Sequence, residues 1–213
     1  MSASQLSQVA NLMSLPIGLI CLIISIRAFY IHHFSQSDMM LVLALSMASI
    51  SIGTLLGSAT TAHLGGTSYN GEFARAFGAC SGGLFIFLSS LVKTHEEMQQ
   101  LKRWQITAAI LFVIIAIFTP LYPSISNNVW ATFSLNGLRV IIYSCAFVRY
   151  ALLYTTKSTR FSLLMWVSFL VLVTGYALNI PGEFQSGLAL VTIIAALIRI
   201  CAYTSLLVAY SIG

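Results

Sequence analysis

The sequence predicts an all-α polytopic membrane protein, a single bundle of seven transmembrane helices. Three observations carry that reading. Only 7% of the 213 residues are charged, against roughly 25% in a typical soluble domain. Hydrophobic residues make up 58% of the chain, and the mean hydropathy is +0.92. The apolar residues are gathered into seven stretches, each close to the ~20 residues that a helix needs to cross a hydrocarbon core. A soluble domain of 23.2 kDa needs a charged shell, and ten basic and five acidic side chains do not make one. Disordered, collagenous and disulfide-scaffold classes are excluded by the same totals.

The expected spans are 9–30, 39–62, 73–92, 104–122, 129–153, 161–180 and 188–212. Runs this long and continuous do not alternate as barrel strands do. Helices satisfy their own backbone in lipid. Pro16 is expected to kink the first span, and Pro120 and Pro123 to stop the fourth. The first eight residues are polar and uncharged, unlike the basic start of a signal peptide, so the first stretch reads as a retained span. Joining loops are short, the longest being 63–72 and 94–103. No linker or repeat divides residues 1–213, which read as one domain. Trp104 and Trp130 sit where interfacial anchors are expected.

Lys and Arg mark cytoplasmic loops. Arg27, Lys93, Lys102, Arg103, Arg149, Lys157 and Arg160 fall on one side, and Arg75 alone on the other. This bias places the N-terminus outside and the C-terminus in the cytoplasm, in a multi-pass protein of the cell membrane. The chain ends at Gly213, at the end of the seventh span, so an output is expected to pass to a separate chain or to stay inside the membrane. No basic run of five or more exists, so the net charge of +5 reads as membrane orientation and not as a nucleic-acid surface. The lipid bilayer and further membrane or cytoplasmic subunits are the expected partners.

The remaining two basic residues, Arg139 and Arg199, lie within spans. Counted from the outer ends of the fifth and seventh spans, both sit about 15–17 Å deep, near the midplane. A charge there is costly and should face the bundle and a partner. The steps of three and four residues around them give Thr132, Asn136, Arg139, Tyr143 and Ala146 in the fifth span. In the seventh they give Thr192, Ala195, Ala196, Arg199, Ala202 and Tyr203. Both stripes are small or polar. The five acidic residues, Asp38, Glu72, Glu96, Glu97 and Glu183, all map to loops or span ends. Arg139, Arg199, Asn136, Tyr143, Thr192 and Tyr203 are therefore the candidate site for an anionic lipid, a carboxylate or a cofactor propionate. The alternative is structural, with each arginine on freed carbonyls of neighbouring helices.

His32, His33 and His95 gather at the inner side with Asp38 nearby. They are the right residue types for zinc or iron. Their spacing matches no metal motif, so a metal or haem there is a weaker expectation than interfacial side chains. His63 lies at the other side. The four cysteines, Cys21, Cys80, Cys145 and Cys201, all lie in apolar stretches without CxxC spacing and read as small hydrophobes. Gly53 and Gly57, and Gly78 and Gly82, form GxxxG pairs, expected to mean close helix packing. The segment 93–103 carries Lys93, Glu96, Glu97, Lys102 and Arg103. It reads as a solvated helical extension and as a docking surface for a partner.

In layout the chain resembles the seven-helix input modules of prokaryotic membrane sensors; no residue motif supports that resemblance. A retinal protein is excluded, because its Schiff base needs a lysine within the membrane, and Lys93, Lys102 and Lys157 all lie at the inner boundary. Motifs of G-protein-coupled receptors, seven-helix sugar carriers and intramembrane proteases are not found. A serine nucleophile would need a base at its own depth, and none is visible. The expected function is a non-catalytic bundle, acting as a sensor module or accessory subunit. An anion or small-molecule transporter or channel, and a haem- or metal-binding redox protein, are the alternatives.

Overall fold

The structure, a computed structural model, describes residues 12–63, 71–118, 129–184 and 189–212. Among the described residues there are seven helices and no strand. They are α1 (Ser14–Ser35), α2 (Asp38–His63), α3 (Gly71–Ser89), α4 (His95–Phe118), α5 (Val129–Lys157), α6 (Arg160–Phe184) and α7 (Ala189–Ile212). Six are long and apolar enough to cross a membrane; α3 is the exception, its apolar part being Phe73–Ser89. The chain is an integral membrane protein. The expected span ends at 9–11, 119–122 and 188, with Pro120 and Pro123, lie outside the described residues.

Local chemistry sets the helix ends. Gln36 takes a left-handed conformation (φ 54°) and its N–H donates to the His32 carbonyl at 2.8 Å, closing α1. Ser158 (φ 47°) does the same for α5, donating to Tyr154 at 2.8 Å. Both turns are two residues long, so α1 and α2, and α5 and α6, run as antiparallel pairs. A capping box starts α4: the Thr94 hydroxyl accepts from the Glu97 N–H at 3.3 Å, and the Glu97 carboxylate accepts from the Lys93 N–H at 2.9 Å. The helical extension before Trp104 is thus real. α3 stops earlier than the expected 92, because Ser90 and Leu91 bond back only three residues, to Phe87 and Leu88 at 3.0 Å. Pro16 falls in the first turn of α1, where its missing N–H removes no internal bond, so the expected kink has no cause there.

The helices pack in the ring order α1–α2–α3–α5–α6–α7, closed by α1 on α7. Among the described helices α4 packs on α2 and α3 alone. It buries Leu101, Gln105 and Phe112, and exposes Ile110, Ile114 and Ile117. The glycine pairs are used as expected. A Cβ at Gly78 would lie 2.3 Å from the Ser49 carbonyl oxygen, and one at Gly53 2.5 Å from that of Ala74. Backbone meets backbone along the α2–α3 seam. Hydroxyls tie α1 to α2: Ser25 donates to Ala44 at 2.9 Å and Ser51 to Gly18 at 2.8 Å.

Candidate functional site

The middle of the bundle is built on α5, α6 and α7. On α5, Asn136, Arg139, Tyr143 and Ala146 are all buried; on α7, Ala195, Ala196, Ala202 and Tyr203 are. Thr192 and Arg199 are half-buried. The two arginines converge on a residue of α6. The guanidinium carbon of Arg139 lies 5.4 Å from the centre of the Tyr176 ring, and that of Arg199 lies 5.2 Å from it. A cation over an aromatic face is worth about 0.5–2 kcal/mol, more when desolvated. Gly175 leaves the room, since a Cβ there would lie 2.8 Å from Arg199 Cγ.

Hydrogen bonds hold the rest. Arg139 Nη1 donates to Asn136 Oδ1 at 2.8 Å, one helical turn away. Arg199 Nε donates to the carbonyl of Ala195 at 3.2 Å. The Tyr143 hydroxyl donates to the Ala79 carbonyl in α3 at 3.1 Å and lies 3.3 Å from the Tyr203 hydroxyl. Tyr143 also stacks on Tyr176, with centroids 5.3 Å apart. The stack continues through Phe169 to Tyr150, with centroid steps of 6.0 and 5.4 Å. Gly83 makes way for it, because a Cβ there would lie 2.8 Å from the Tyr143 ring.

Two buried polar atoms here have no hydrogen-bond partner among the described residues: Nε of Arg139, and Oδ1 of Asn179, one turn beyond Tyr176 in α6. Arg75 and Arg139 both lie within electrostatic range of Arg199. The carboxylates with described side chains are Asp38, Glu96 and Glu97, near the turns that join α1 to α2 and α3 to α4. None of them pairs with Arg139 or Arg199. Asp38 instead accepts from Lys102 Nζ at 2.6 Å, fastening α4 to α2.

His32, His33 and His95 are occupied singly. His32 Nδ1 lies 2.8 Å from the Ser37 carbonyl, His33 sits edge-on to Phe34, and His95 contacts Gln99 at 3.0 Å. Among the described residues, no three of His, Cys, Asp or Glu group in a way that could hold a metal ion. In the 93–103 segment, Glu97 caps α4 and Lys102 pairs with Asp38, while Lys93, Glu96 and Arg103 are exposed.

Sequence reasoning missed Tyr176. Counting along its own span gave no signal, since it places Tyr176 ~22 Å from one end of a core of roughly 30 Å, away from the midplane depth expected for Arg139. It missed Gln105 too, a fully buried amide of α4 that donates to Ser46 at 3.4 Å. Comparison of the chain with protein-family models, with curated proteins and with solved structures finds no match.

Proposed function

We propose that this protein is a non-catalytic membrane bundle that binds an anionic group between α5 and α7 and serves as a sensor module or accessory subunit. The observation that carries this reading is the pair of arginines on Tyr176, one with a buried Nε that has no hydrogen-bond partner among the described residues. A buried guanidinium costs several kcal/mol in a membrane without a counter-charge. A carboxylate or phosphate accepts from its planar fork in two parallel bonds. In this reading the chain crosses the membrane seven times, with α3 as a short span shielded by α2, α4 and α5. The N-terminus lies outside, on the positive-inside bias of seven basic residues. The segment around Lys93, Glu96 and Arg103 then faces the cytoplasm and docks a partner subunit.

The test is mass spectrometry of small molecules retained through gentle purification. Wild-type protein is expected to retain an anionic lipid, carboxylate or cofactor that the Arg139→Gln, Arg199→Gln double variant loses. Identical retained species from both proteins would remove the site.

A further inference from the structure

A second site lies at the end of the bundle where α1 turns into α2 and α5 into α6. A cavity of about 710 Å³ opens there, walled by all six helices of the ring. It falls within the range of ligand pockets, roughly 300–1,000 Å³. Its walls are mainly apolar, with Ile24, Ala28, Met40 and Leu43 among them. Arg27, Tyr150 and Tyr210 bring polar groups to the same space. Among the described residues no Asp or Glu lines it.

The polar groups divide into used and unused. Ser89 and Ser211 donate to carbonyls of their own helices, at 2.8 and 2.7 Å. Thr159 donates to Ser162 at 2.9 Å. The Tyr150 and Tyr210 hydroxyls have no hydrogen-bond partner among the described residues. Tyr150 is only 4% exposed, its ring fixed against Phe169. Arg27 spends one Nη2 contact, 3.2 Å to the Ser211 carbonyl, and its side chain is otherwise exposed. Among the described residues the cavity therefore offers unspent donors and no acidic group, around an apolar chamber.

We propose that this cavity binds a single-chain amphiphile with an anionic head, such as a long-chain carboxylate. The head accepts from Arg27 and the tyrosine hydroxyls, and the chain fills the space between α1 and α2. At ~30 Å³ for each water-sized group, the chamber holds roughly two dozen non-hydrogen atoms, which is one acyl chain and its head. An unmet phenol O–H in an apolar wall is costly, and a carboxylate acceptor relieves it. This inference is independent of the reading given to Arg139 and Arg199, which share no residue with the cavity.

The probe is radiolabelled oleate, titrated onto the full chain purified in dodecyl maltoside. One saturable site is expected, with methyl oleate, the same chain without the charge, failing to compete. Arg27→Gln should weaken oleate about ten-fold, the scale of one charge-assisted hydrogen bond. Tyr150→Phe keeps the ring stacked and should weaken binding by a smaller factor at an unchanged melting temperature. Lys157→Gln, a cation at the same end but outside the cavity, should change nothing. Tighter binding of lysophosphatidate than of oleate would support the site and name a phosphate head. Four results overturn it: no saturable oleate binding, equal competition by methyl oleate, displacement by two-chain phosphatidylglycerol alone, or loss through Arg139→Gln in place of Arg27→Gln.

Discussion

The α2–α3 seam and the α5–α6–α7 cluster occupy the same bundle and are packed by opposite means. Along the seam, Gly53 and Gly78 let two backbones touch, while Gly57 and Gly82 make room for the Arg75 and Ile50 side chains. In the cluster, aromatic rings and two guanidinium groups fill the space, and glycines serve only to admit them, Gly175 for Arg199 and Gly83 for Tyr143. In lipid, helices gain little by hiding apolar surface from their surroundings, so close fit and polar contacts must hold them. The seam relies on fit. The cluster relies on polar contacts, and leaves some of them unmet. A region with a buried cation that meets no carboxylate among the described residues has capacity for a ligand.

Breaking the seam should have the largest effect. Gly78→Ala places a methyl 2.3 Å from a carbonyl oxygen that cannot move alone. It should cost about 1–3 kcal/mol, the usual range for overpacking, at its upper end. Gly137, in α5, has nothing within 4 Å of an added Cβ. Gly137→Ala should stabilise by about 0.5–1 kcal/mol through helix propensity alone. Melting of the two variants in one detergent checks both; equal shifts would remove the distinction between a packed glycine and an idle one.

The cluster should respond to the ring before the hydroxyl. Tyr176→Leu removes both cation contacts and should cost roughly 2 kcal/mol, whereas Tyr176→Phe keeps the aromatic face and should change little. Similar losses for the two would mean that the arginines do not lean on the ring. Tyr143→Phe should have a smaller effect, about 1 kcal/mol, from the bonds to Ala79 and Tyr203. Pairing it with Tyr203→Phe in a double-mutant cycle measures how much of that belongs to the contact between hydroxyls.

The shared level of Arg139 and Arg199 and the buried face of each helix were legible in the sequence, and the neighbours of each helix were not. Counting 1.5 Å per residue places Arg139 and Arg199 level with each other, and three- and four-residue steps put Tyr143, Ala146 and Tyr203 on buried faces. The glycine pairs announced a close seam. What periodicity does not carry is which helix stands beside which. The helices are apolar on nearly every side, so nothing in α4 alone says that it packs on α2 and α3. The same ignorance hid Tyr176, which belongs to the site only because α6 lies between α5 and α7. It hid the end cavity as well, whose walls come from six helices at once. Glu97 was read as part of a docking surface from its charge, while its spacing from Thr94 already spelled the cap that it forms.

The central claim is that Arg139 and Arg199 serve a ligand and not only the bundle. Melting the wild-type protein and the Arg139→Gln, Arg199→Gln variant, with and without a panel of anionic lipids and carboxylates, tests it most directly. At least one anion should raise the wild-type melting temperature and leave the double variant unmoved, although that variant keeps every basic residue of the loops. If no anion moves the wild type, or if one raises both proteins equally, the arginines belong to the scaffold and the claim fails.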